Sequence, residues 1–207
     1  MLHWIAQARA ALVPVAHRRG ALLVDVGCGA GLLAPHLSGK GYRHVGVDRS
    51  TSALTIAREH GVITTHGDAC ELPLPSAIAD VVSAGEIIEH VSDTDRAVDE
   101  ACRVLRPGGI LVIDTIASTM LARFLAVTVA ERIHGGAPPG IHDPGLFVDR
   151  RGLVGRCAAS GVELKLTGLR PQIAALIAWR AGRRAAVPMV PTWSTSVLFQ
   201  GIGVKAR

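Results

Sequence analysis

The chain has 207 residues, 49% of them hydrophobic and 3% aromatic, with a formal net charge of +5. That length suits one domain with a sizeable core, and the apolar content excludes a disordered chain. The basic balance admits nucleic acid or an acidic membrane surface as partners, while the scarcity of aromatic rings argues against a base-stacking surface.

Cys28, Cys70, Cys102 and Cys157 stand far apart without a C-x-x-C pair, which fits reduced thiols better than a disulfide framework or zinc site. Cys28, in a glycine turn, is the thiol a reagent is expected to reach. The N-terminal apolar run is interrupted by Arg9 and lacks a secretory pattern. The most apolar stretch, Met120 to Ala130, holds Arg123 and ends at Glu131, so no span crosses a bilayer. A cytoplasmic protein is expected.

In chain order, Leu2 to Ala16 has helical spacing with Leu2, Ile5, Ala8, Leu12 and Val15 on one face. Strand one is Leu22 to Val26, followed by the turn Gly27-Cys28-Gly29-Ala30-Gly31 and a helix from Leu32 to about Gly39. Strand two, His44 to Val47, ends in Asp48, and Ser50 caps a helix to about His60. Strand three is Val62 to Thr65, leading to Gly67-Asp68-Ala69. Strand four, Asp80 to Ala84, opens onto Gly85-Glu86-Ile87-Ile88-Glu89-His90-Val91. A helix from Asp93 to Leu105 stops at Pro107-Gly108-Gly109, before strand five at Ile110 to Thr115.

Ser118 to Ile133 reads as an amphipathic helix, then a Gly/Pro loop from Gly135 to Gly140 leads into Ile141-His142-Asp143-Pro144. Leu153 to Ser160 is the last core helix, Gly161 to Leu169 strand six, and Gln172 to Ala186 an inserted helix. Ser196 to Val204 is a final, antiparallel strand. The pattern predicts an α/β fold: a doubly wound, Rossmann-like sheet of seven strands, mostly parallel, with its site at the carboxyl ends. Residues 1–207 form one domain in this reading, with substrate-covering elements at 1–18, 117–148 and 172–191.

The turn after strand one is a ligand-binding joint, since glycines allow positive φ and close approach while the amides opening the next helix point outward. The dinucleotide fingerprint needs its third glycine where Leu32 stands, so the spacing is G-x-G-x-G instead. With Asp25 ahead of the first glycine and Asp48 closing strand two, the stretch resembles the class I S-adenosylmethionine-dependent methyltransferases. An acid in the place of Asp48 faces the ribose hydroxyls of a ligand in such a sheet. The resemblance implies a donor site of Asp25, Gly27, Cys28, Gly29, Gly31, Asp48, Arg49, Asp68, Ala69, Gly85 and Glu86, with Asp68 accepting from the adenine amino group. On the residues alone, Asp68 equally suits an Asx-turn.

Glu86, Glu89 and His90 stand at i, i+3 and i+4, so one helical turn puts them on one face, an oxygen-rich set suited to magnesium or manganese. Here the chain resembles the ubiquinone-biosynthesis O-methyltransferase family. The shared features are Glu-Ile-Ile-Glu-His-Val, the Thr115-Ile116 exit, the helix ending Ala130-Glu131 and Gly140-Ile141-His142-Asp143, in the same order. The resemblance runs from about Leu2 to about Gly168. It implies a divalent metal on Glu86, Glu89 and His90 and an acceptor hydroxyl on a dihydroxylated ring, the metal lowering the phenol pKa.

Without metal, His90, or His142 beside Asp143, serves as general base. The family also implies peripheral membrane contact through 118–134, where Leu121, Phe124, Leu125 and Val129 suit that face, although their spacing favours a core-packing stripe. The family has a longer segment ahead of its first helix than this sequence shows, and 172–191 departs from its pattern, so the expected acceptor is a phenol, catechol or hydroxyquinone, with a prenyl tail left open. A nucleic-acid methyltransferase and a non-catalytic S-adenosylmethionine-binding protein are the competing readings. Ser83-Ala84-Gly85-Glu86, in place of an Asn/Asp-Pro-Pro-aromatic motif, argues against nucleic acid. Oligomeric state is open.

Overall fold

The computed structural model describes residues 2–129, 140 and 143–207. Apolar runs rich in Val, Ile and Leu, unable to leave either face in water, become the central strands. These are β1 (Ala21–Val26), β2 (Tyr42–Asp48), β3 (Ile63–His66), β4 (Ala79–Gly85) and β5 (Leu105–Ile116). All pair in parallel. Three further strands follow: β6 (Val162–Pro171), β7 (Met189–Thr192) and β8 (Leu198–Lys205).

Among the described residues the sheet has eight strands, in the order β3-β2-β1-β4-β5-β8-β6-β7. As expected, the last strand lies antiparallel, between β5 and β6. Strand β7 was not foreseen. The inserted helix stops early, as α7 (Ile173–Arg180), and the chain then returns to pair antiparallel with β6 at the sheet edge.

The strand order reverses between β1 and β4, so the loops leaving their carboxyl ends diverge and open a crevice there. Helices α1 (Leu2–Leu12) and α2 (Ala34–Leu37) cover one face of the sheet, where Ala10 and Leu37, with the flanking Val13 and Leu33, pack on Leu23, Val81 and Val112. On the other face α4 (Thr94–Val104) and α6 (Arg150–Ala159) pack through residues such as Val98, Ala101, Leu153 and Cys157. Helix α3 (Thr51–Glu59) lies against β2 and β3, its Ser50 cap accepting from the Ala53 amide as expected. At the opposite edge Asp80 gathers Arg18, Arg106 and the Leu22 amide at 2.7–2.8 Å, tying down the amino ends of β1 and β4.

Three expectations change. Helix α1 buries Trp4, Ile5, Ala6, Arg9 and Ala10, leaving Leu2 exposed. The apolar period therefore misplaced its inner face, because the charged Arg9 has a buried partner. Pro107-Gly108-Gly109 does not precede a new strand: β5 pairs from Leu105 opposite Ala79, then resumes at Ile110 opposite Val81, with the turn as a bulge. Finally, Leu121 and Phe124 face outward with Met120, while Ala122 and Ala126 are buried, so they are no core stripe. Helix α5 (Met120–Arg123) continues into a π-helical turn, Phe124–Val129. The rest of the helix expected to Ile133, with most of its following loop and His142, lies outside the described residues.

Candidate functional site

The glycine turn takes the shape its spacing demands. Gly27, Gly29 and Gly31 all have positive φ, and the amides of Gly27 and Cys28 donate to the Val47 carbonyl, lashing the turn to the end of β2. Asp48 then sits beside the turn. Its Oδ2 accepts from the Gly29 amide and its Oδ1 from the Ser50 amide, both at 2.8 Å. The carboxylate is half-buried, and a Cβ on Gly29 would meet nothing within 4 Å, so this part of the crevice is open.

Other donor-site candidates divide by exposure. Asp68 Oδ1 closes an Asx-turn by accepting from the Cys70 amide at 2.8 Å, and its Oδ2 lies 3.7 Å from the exposed Arg49 guanidinium. The Ala69 side chain is buried. Asp25 is buried beneath the turn, where His44 Nε2 lies 3.4 Å away. Burial alone would raise its pKa, but His44 and Arg9 outweigh it and hold the carboxyl below its ordinary range. The Cys28 side chain is also buried, against Gly46, and burial with the charges of Asp25 and Asp48 pushes its thiol pKa upward. The expected reagent-accessible thiol is thus shielded. Of the four cysteines Cys70 alone is partly exposed.

The segment after β4 does not form the expected α-helical turn. Glu86 has φ +53°, and Ile88–His90 is a 3-10 turn, in which neighbouring residues point roughly 120° apart. Glu89 is therefore buried, accepting from the Thr115 hydroxyl at 2.7 Å, while His90 is exposed. Burial, with the Asp114 charge, pushes Glu89 up to about 7. Burial and the Glu89 charge also raise Glu86 well above the carboxylate range. Among the described residues no group of three His, Cys, Asp or Glu could hold a metal ion. Glu86, Glu89 and His90 do not fit the divalent cation expected of them.

A cation already occupies this part of the sheet edge. Arg9 Nη1 reaches Asp114 Oδ1 at 3.0 Å and Oδ2 at 3.3 Å, both side chains almost wholly buried. Burial, with the Asp25 charge, lifts Asp114 to about 6 in spite of Arg9. The sequence reading missed this pair. Its signal is a single arginine in an apolar helix and a single aspartate in the apolar run Ile110-Leu111-Val112-Ile113-Asp114, two misfits of opposite sign. Asp143 serves as a cap, its Oδ1 accepting from the Gly145 amide at 2.8 Å, and is exposed.

The family pattern described as a methyltransferase domain matches residues 24–113, from β1 to β5. The ubiquinone biosynthesis O-methyltransferase of Thiobacillus denitrificans is 34% identical over 160 residues, covering 72% of this chain and 68% of that one. The chain belongs to the class I S-adenosylmethionine-dependent methyltransferases. The same enzyme from Methylobacterium sp. (strain 4-46) is 36% identical over 141 residues, 62% of this methyltransferase and 54% of the relative. The chain thus spans little more than half the length of some curated relatives. A crystal structure of an S-adenosylmethionine-dependent methyltransferase from Thermotoga maritima, described as a possible histamine N-methyltransferase, superposes with a TM-score of 0.66. At 20% identity, over 98% of this chain and 89% of that one, that likeness speaks for the fold.

Proposed function

We propose that this methyltransferase moves the sulfonium methyl group of S-adenosylmethionine to a hydroxyl of a small aromatic acceptor, a catechol, phenol or hydroxyquinone. One observation carries the reading: Asp48 and the Gly29 amide meet at the open mouth of the crevice, in a chain 34% identical to a ubiquinone biosynthesis O-methyltransferase. Each Asp48 oxygen accepts one amide and keeps a lone pair for a ribose hydroxyl. Asp68 Oδ2 takes the adenine amino group, and Gly85 and Glu86 border the methionine end.

The acceptor enters beside the turn after β4. Its hydroxyl proton passes to a neutral imidazole, for which the exposed His90 is the candidate base. The oxygen then forms its bond to the methyl carbon as the carbon–sulfur bond breaks, releasing neutral S-adenosylhomocysteine. A phenolate and a sulfonium cancel each other's charge in this step, so excluding water favours it. Positioning accounts for much of the remaining rate. Exposed Met120, Leu121 and Phe124 support peripheral contact with a membrane surface. No helix among the described residues is long and apolar enough to cross one.

A panel of catechols, naphthoquinones and simple phenols, incubated with methyl-labelled donor, tests the reading. Label should appear in an ether. Donor binding with no label on any hydroxyl would leave a donor-binding protein without this activity.

A further inference from the structure

Four carboxylates crowd the carboxyl ends of β1, β4 and β5: Asp25, Glu86, Glu89 and Asp114. All but the half-buried Glu86 are almost wholly buried, and Oε1 of both Glu86 and Glu89 is buried without a hydrogen-bond partner. Burying that many carboxyl groups demands either protons on them or a counter-charge nearby. A divalent ion would supply such a charge through several oxygens at one centre, but within the 3-10 turn Glu89 is buried and His90 exposed, and no suitable group of three forms among the described residues.

The geometry points to Arg9 as the resident cation of this site: its guanidinium takes over charge compensation at Asp114 and Glu86, so that the acidic crevice works without a divalent metal. Arg9 enters from α1, makes both contacts with Asp114, and has Asp25 and Glu86 as its next charged neighbours. The seat is built for it. A Cβ on Gly85 would lie 1.0 Å from Arg9 Nη1, so only glycine at the end of β4 admits the planar group. A guanidinium keeps its charge across the physiological range and would repel a dication placed beside it. Arg9 is a positioning residue in this account, holding Asp114 and, through the Asp114 carbonyl that accepts the Glu86 amide, the start of the turn after β4. The inference rests on the proposed methyl transfer only for where the acceptor enters.

Full-length protein freed of metal by chelator and dialysis is titrated with manganese alone, read by electron paramagnetic resonance of free ion and by melting temperature. The wild type is expected to show no saturable manganese binding and no thermal shift. Arg9→Met, which removes the cation, and Gly85→Ala, which removes its seat, should each gain manganese affinity by roughly tenfold or more, with a rise in melting temperature. Adding Asp114→Asn to either should abolish the gain, and Arg9→Lys should behave as wild type.

One equivalent of manganese bound to the wild type and lost in Glu89→Gln would overturn the inference, as would no gain in either folded variant. If neither variant folds, the wild-type titration decides alone. Calorimetry with S-adenosylhomocysteine on the same samples keeps the questions apart: failure there sinks the donor assignment and leaves the manganese result standing.

Discussion

Two aspartates stand at the same edge of the sheet and are held in opposite ways. Asp48 is half-buried and takes its bonds from backbone amides, one 19 residues back in the glycine turn and one two residues ahead. Asp114 is fully buried and takes its bonds from a guanidinium 105 residues away. The first is a local device with spare lone pairs, suited to a ligand that comes and goes. The second is a structural charge pair, with no water to replace a missing partner. A carboxylate at a strand end thus serves binding or stability according to what reaches it.

The largest expected effect comes from breaking the second arrangement. Arg9→Ala leaves Asp114 buried without its partner, which costs roughly 3–5 kcal/mol. For a chain of this length a thermal melt should fall on the order of 10 °C. A fall of only a degree or two would place Arg9 with ordinary surface arginines.

Next is the reciprocal test. On the proposed donor placement Asp48→Ala removes two charge-assisted bonds to the ribose, so calorimetry with S-adenosylhomocysteine should show affinity down by roughly a hundredfold. Stability should change by no more than about 1 kcal/mol, because water can reach the half-buried site. Unchanged affinity would take the ribose away from Asp48.

The buried acids also sharpen the contrast through pH. Glu89 rises from an ordinary 4.5 to about 7, and Asp114 from 3.8 to about 6. In that window the folded chain holds protons that the unfolded chain has released, so stability declines as pH rises from about 4.5 through 7. Glu89→Gln keeps an acceptor for Thr115 and removes the ionisation. It should therefore be more stable than wild type at pH 8, by on the order of 1–3 kcal/mol, and melt higher there, with the advantage gone near pH 4.5. Equal melting at both values would mean that Glu89 ionises freely.

The smallest effect concerns thiols. Cys70 should react first with a maleimide in the native state, and Cys28 only after unfolding, as peptide mass mapping would show. Early labelling of Cys28 would mean that the glycine turn opens.

Short-range pattern was enough to place the glycine turn, the strand ending in Asp48, the Ser50 cap and the parallel order of the first five strands. Each follows from spacing within a few residues or from apolar runs too long to leave in water. Such reasoning also proposed that Glu86, Glu89 and His90 share a face, and the positive φ at Glu86 with the 3-10 turn behind it sends Glu89 inward and His90 outward. Periodicity on α1 penalised Arg9 as a misfit, although it is among the most buried residues of that helix. These errors have one cause. Local period reports which side chains avoid water on their own account, whereas the burial of a charge depends on a partner whose distance along the chain leaves no trace in the period. The amino acids alone determined a glycine turn beside an acid at the end of the second strand. Folding decided that a second acid, on β5, would meet an arginine from α1, because burying either charge alone would have cost more than the pair.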